Sequence, residues 1–130
     1  MRRPIAAALL SVLALALPAC GGSSSSSGPA CPPAAASRTA VNGAVTVCAY
    51  DIRFDVKKIE ATAGPVAITL INKGAIAHNL TIKAEDFVLS VPSRNKVATG
   101  TVTLKPGTYE YVCTISGHAQ AGMKGQIVVS

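Results

Sequence analysis

Along the C-terminal two thirds of this chain, apolar residues recur in short runs that turn-forming residues cut off. Val45-Thr46-Val47-Cys48-Ala49-Tyr50 alternates with period two. Val66-Ala67-Ile68-Thr69-Leu70-Ile71 is rich in β-branched residues and lies between Gly64-Pro65 and Asn72-Lys73-Gly74. These patterns predict strands, since side chains alternate faces along an extended chain and β-branched residues pack well on a pleated surface. Further strands are predicted at Asn79 to Ile82, Val97 to Leu104, Thr108 to Val112 and Gln126 to Val129, with a weaker one at Phe87 to Val91. Nothing in this region carries the three-and-four spacing of an amphipathic helix. Short strands with closely spaced turns predict an antiparallel sandwich, and about 90 residues enclose one modest core but not two.

The N-terminal segment follows another pattern. Met1-Arg2-Arg3 is basic, and Ile5 to Leu17 is apolar except for Ser11. That stretch is too short for a membrane-spanning helix, so residues 1–19 read as an export signal. Leu17-Pro18-Ala19-Cys20-Gly21 resembles a bacterial lipoprotein box, which implies that Cys20 is lipidated and becomes the mature N-terminus. Cleavage near Ala14-Leu15-Ala16 would instead leave Cys20 as an ordinary thiol. Gly21 through Ser37 is nearly all Gly, Ser, Pro and Ala, too small and too polar to form a core. With Cys20 it makes a linker over residues 20–37, of roughly 20 to 25 Å mean reach if it behaves as coil. The folded domain is then residues 38–130. The expected location is outside the cytoplasm, on a bacterial membrane, facing the periplasm or the cell exterior.

The formal charge is +6, and removing Arg2 and Arg3 with the leader leaves +4. A surplus of this size fits attraction to anionic headgroups or to an acidic redox partner, and equally a solvated basic surface. Nucleic acid is excluded as a partner: aromatics are only 4%, the basic residues are scattered, and the chain is exported. Four cysteines in an oxidising compartment have to be assigned. With Cys20 given to lipid and Cys113 to a metal, Cys31 and Cys48 are left to pair, which would add roughly 3 kcal/mol if unstrained. The competing arrangement pairs Cys113 with one of them and abolishes the metal site.

Cys113-Thr114-Ile115-Ser116-Gly117-His118-Ala119-Gln120-Ala121-Gly122-Met123 spaces a thiolate, an imidazole and a thioether evenly, and His78 lies upstream. A thiolate with two imidazoles and a weak thioether suits one copper ion in both oxidation states. His78 and His118 are the only histidines. By period two Tyr109, Tyr111 and Cys113 share a strand face, so Cys113 is delivered at a strand end. Structural zinc prefers four strong ligands, and a thioether is a poor one. A Cys-His nucleophile would need an orienting group, but the loop carries no Asp or Glu, and His78 and Met123 would go unexplained.

With these residues in view, the chain from about 41 to 130 resembles the cupredoxins, small blue-copper proteins, with a Cys-x4-His-x4-Met loop of the azurin and auracyanin type. The resemblance implies an all-β Greek-key antiparallel β-sandwich of about seven or eight strands. It also implies a type 1 copper with His78, Cys113 and His118 as equatorial ligands and Met123 as the axial one. Asn79 and Thr114 would brace the two ligand segments. Departures from azurin-like loops are Ser116, where proline is usual, and Ala75-Ile76-Ala77 ahead of His78, where azurin has a glycine. The implied function is non-enzymatic electron transfer by outer-sphere Cu(II)/Cu(I) exchange between a redox donor and acceptor, by a monomer held to a membrane through its lipid. Ile76, Ala77, Ile115, Gly117 and Ala121 would form the docking patch around His118. The alternative on the same fold is extracytoplasmic copper binding or delivery.

Overall fold

In the computed structural model the described residues are 28–130. The export signal, Cys20 and the first part of the linker lie outside them. Ten strands form: β1 Ala35–Thr39, β2 Ala44–Tyr50, β3 Arg53–Phe54, β4 Val56–Ala61, β5 Gly64–Asn72, β6 His78–Ile82, β7 Phe87–Val91, β8 Val97–Leu104, β9 Gly107–Val112 and β10 Lys124–Val129. One 3-10 turn, Lys83–Glu85, joins β6 to β7. No helix among the described residues is long and apolar enough to cross a membrane.

The strands make two sheets, ordered β1-β4-β10-β9-β6-β7 and β3-β2-β5-β8. Their facing sides alternate as the sequence does: Val45 and Val47 on β2, Val66, Ile68 and Leu70 on β5, and Ile127 and Val129 on β10 are buried. Ile59, Leu80, Ile82, Leu104 and Tyr111 complete the core with no more than 1% exposure. The two-sheet sandwich is the expected one, but both sheets are mixed. β1 with β4, β4 with β10, and β2 with β5 run parallel. None of these pairs is consecutive in the chain; each is separated by an excursion into the other sheet, which supplies the crossover that parallel pairing needs.

Three strands are additional to those read from the sequence. β4 carries Lys57 and Lys58 side by side, so its buried positions Val56, Ile59 and Ala61 break strict alternation. β3 is only a two-residue edge. β1 begins at Ala35, inside the stretch assigned to the linker, and pairs along β4.

Cys31 and Cys48 are bonded, with Cα atoms 6.1 Å apart. The bond fixes the start of the described chain across the outer side of β2. Beside it, the buried Asp55 carboxylate accepts hydrogen bonds from the Cys48 N–H at 2.8 Å and from Arg38 at 3.0 Å. Arg38 also donates to Thr46 O and Pro33 O. Tyr111 crosses the core beneath this network and donates to Val56 O at 2.6 Å. Burial, together with the Asp55 charge, pushes its phenol above the ordinary range. Gly125, opposite Tyr111 in the β9–β10 ladder, leaves room for that ring: a Cβ there would collide with it and lie 2.8 Å from Lys57 O.

Asp55→Ala leaves the Cys48 N–H without its acceptor and the Arg38 guanidinium without its counter-charge. The expected loss is about 3 kcal/mol of unfolding free energy, with the disulfide intact. Urea denaturation of variant and parent chains measures it.

Candidate metal centre

At one pole of the sandwich two connections meet. The first is the segment between β5 and β6. Asn72, fully buried, donates from its amide to Ile76 O at 2.7 Å and Val91 O at 3.1 Å, and its Oδ1 accepts the Gly74 N–H. Asp51 adds a second fastening by accepting the Ala75 N–H at 2.8 Å. These bonds set the entry of His78, the first residue of β6, which is only 1% exposed. Gly74 backs onto that ring: a Cβ there would lie 2.9 Å from His78 Nε2 and 2.6 Å from Asp51 Oδ1.

The second connection joins β9 to β10. Cys113 follows the last residue of β9 and is fully buried. Its N–H donates to Met123 O at 3.0 Å, and the Met123 N–H donates to His118 O at 3.0 Å, closing the loop on itself. His118 N–H donates back to Ile115 O. The loop thus brings Cys113, His118 and Met123 together, and Met123 is fully buried.

Asn79 ties the two connections. Its amide donates to Thr114 Oγ1 and its Oδ1 accepts the Thr114 N–H, both at 2.9 Å. Lys57, on β4, donates to Gly122 O at 2.7 Å and Lys124 O at 3.3 Å, gripping the backbone on either side of Met123. Asn79 and Thr114 thus meet as expected. Asn72, Asp51 and Lys57 were not singled out from the sequence, where Asn72 reads as a turn residue and the others as surface charge. Only the Asn72-Lys73-Gly74 turn signal pointed at the first of them.

One donor atom each from His78, Cys113 and His118 lies within 4.8 Å of the others. Cys113 Sγ and His118 Nδ1 are 3.4 Å apart, and the two imidazole centroids are 5.2 Å apart. Both ring nitrogens of His78 are buried without a hydrogen-bond partner. An unsatisfied buried polar atom costs about 1–3 kcal/mol, so the arrangement makes sense with a cation to receive a lone pair. Two imidazoles, a thiolate and a nearby buried thioether match one copper ion as a type 1 set, and the site fits that cofactor. His118 is 8% exposed, so its ring is the one that approaches the surface. Of the residues expected to form the docking patch, Ile76, Ala77, Gly117 and Ala121 are exposed and Ile115 is half-buried.

Burial holds the His78 pKa below its ordinary value, His118 lowers it further, and Asp51 partly opposes this. In the metal-free chain the unfolded state therefore binds the proton first. Stability is at its full value above about pH 6.5 and falls as the pH drops through the depressed folded value. Urea midpoints of the metal-free chain at successive pH values should show this fall, and His78→Leu should flatten it. Asn79→Ala, which leaves the Thr114 N–H without its acceptor, should lower unfolding free energy by about 2 kcal/mol in the same assay.

The Cupredoxin-like domain family matches residues 8–129 of this chain. Among solved structures, auracyanin from the photosynthetic bacterium Roseiflexus castenholzii, reduced with dithionite, is 20% identical with a TM-score of 0.59. The alignment covers 75% of this chain and 98% of that one. The reduced Cu(I) form of an amicyanin variant at pH 4 is 24% identical with a TM-score of 0.51, over 69% of this chain and 85% of that one. At these identities the likeness establishes the fold. No curated protein matches the chain in sequence.

Proposed function

The chain belongs to the cupredoxin-like family, and on that footing we propose that it is a membrane-tethered blue copper protein that carries single electrons between a redox donor and acceptor. Its cofactor is one type 1 copper ion. In the proposed site His78, Cys113, His118 and Met123 would hold the ion, the two imidazoles and the thiolate as the strong donors and the thioether as the weak one. The observation that carries this reading is the convergence of three buried donor atoms within 4.8 Å, with His78 left without any other partner. When bound, copper supplies a one-electron Cu(II)/Cu(I) couple that this donor set tolerates in both states.

The protein's own contribution is to hold the ligands still. Cys113 gives up its proton on binding, and the buried setting keeps water from the thiolate. Asn79, bonded twice to Thr114, resists separation of the His78 and Cys113 segments, so little reorganisation accompanies electron exchange. The ring edge of His118 is the exit for the electron. The short side chains of Ile76, Ala77, Ile115, Gly117 and Ala121 let a partner approach it for outer-sphere transfer. None of this asks the site to bind a substrate, so the reading is of a carrier and not an enzyme. Export with residues 1–19, lipid on Cys20 and a linker running from there to Gly28, where the described fold begins, belong to the same proposal, and put the domain, as a monomer, on the periplasmic or outer side of a bacterial membrane.

One equivalent of Cu(II) added to the purified processed chain should give an intense blue absorption and the narrow copper hyperfine splitting of a type 1 site in electron paramagnetic resonance. Cys113→Ser should lose the blue band and keep its β-sheet circular dichroism. A colourless parent protein would overturn the assignment, and copper released in only one oxidation state would favour delivery over transfer.

A further inference from the structure

We propose that the pole bearing the metal centre is also the face that this chain turns toward an anionic lipid surface. The inference rests on the lipid tether of the preceding reading and adds an orientation to it. Two independent observations carry it, one from connectivity and one from charge.

The first is where the chain leaves the fold. Gly28 packs so closely on Asn95 that a Cβ would meet the Asn95 amide. Asn95 sits between β7 and β8, beside the His78 entry: its N–H donates to Asn72 O, and the Asn72 N–H donates to Lys96 O. From there the chain is locked down by the Cys31–Cys48 bond and by Arg38 holding Pro33 O before β1 begins. The tether therefore departs from the metal pole. Seven residues, and so eight steps along the chain, separate Cys20 from Gly28. Fully stretched it reaches about 28 Å, and as coil about 16 Å. β5 alone, with nine residues, spans about 30 Å from pole to pole. A leash rooted at the metal pole is thus too short to run back along the sandwich comfortably, so the opposite pole is the one directed away from the bilayer.

The second is the distribution of charge between the poles. At the metal pole the four cations Arg53, Lys73, Arg94 and Lys96 face Asp51, whose carboxylate is engaged with the Ala75 N–H; Lys57 and Lys124 lie beside the Met123 end of the loop, where Glu110 lines the same surface pocket. None of the four cations lies within salt-bridge distance of a carboxylate among the described residues, whose ion pairs are Arg38–Asp55 and Lys58–Glu60. Lys73 reaches only Asn95 Oδ1, at 3.4 Å. The loops of the opposite pole carry Lys83 and Lys105 against Glu85 and Asp86, with no surplus. Unpaired cations gathered where the tether departs complement acidic headgroups, and the exposed Ile76 among them offers an apolar contact.

Lysine footprinting with an amine-acylating reagent tests the orientation. The processed full-length chain is placed on vesicles of phosphatidylcholine alone or mixed with phosphatidylglycerol, with and without copper. On the mixed vesicles Lys73 and Lys96 should be acylated several-fold more slowly than on neutral ones, while Lys83 and Lys105 are unchanged, whether or not copper is bound. A Cys20→Ser chain should bind the mixed vesicles in a salt-sensitive way, and K73Q/R94Q/K96Q should weaken that binding about a hundred-fold, near five-fold per charge. Equal labelling of both poles, or protection of Lys73 and Lys96 only when an acidic redox protein is added, would overturn the proposal. The mass of the processed chain reports Cys20 lipidation separately, and the copper spectrum reports the metal site separately, so failure of either underlying reading is recognisable as such.

Discussion

A histidine ring buried with neither nitrogen satisfied is a costly thing for a small sandwich to hold, and much of this structure is arranged to hold it. The Gly74 backbone lies so close to the His78 ring that a side chain there would collide with Nε2. Asn72 fastens the preceding loop at Gly74 and Ile76 and ties it to Val91 on β7. Asn79, the next residue, is bound to the other ligand segment through Thr114. Bonds of this kind contribute roughly 1 kcal/mol each. Together they keep a donor set gathered that would otherwise relax apart, as the proposed electron-transfer role requires.

Most of the fold could be read from alternation. β2, β5, β8, β9 and β10 announce themselves because one face is apolar, the other polar, and turn residues mark their ends. β4 did not, because Lys57 and Lys58 are adjacent and its inward positions are separated by an extra residue. β1 was hidden by composition: Ala35-Ala36-Ser37 looks like linker, and it becomes a strand only because β4 offers an edge that no local pattern reveals. Parallel pairing between non-consecutive strands is likewise a property of the whole topology.

The site was legible to a different degree. The ligand set stands out because sulfur and imidazole are scarce here and their spacing in one loop is regular. Its supports are another matter. Lys57 grips the carbonyls beside Met123 from a strand more than sixty residues upstream, and Asp51 reaches the His78 loop from the β2–β3 turn. Nothing in either residue's neighbourhood along the chain distinguishes it from an ordinary surface charge. Long-range contacts of this kind are set by how the sheets stack, and they become visible only with the fold.

The loop running from Cys113 to Met123 is closed at its base by one backbone bond between those two residues, and it carries every proposed ligand but His78. The remainder of the sandwich meets it chiefly at Asn79, Lys57 and the ends of β9 and β10. Such a segment is a cassette: no registered strand partner lies between Cys113 and Met123, so the ladders of the sandwich are set without its interior. The donors and the scaffold are thus specified by separate stretches of chain, and His78 is the one proposed donor that the scaffold's own strands supply.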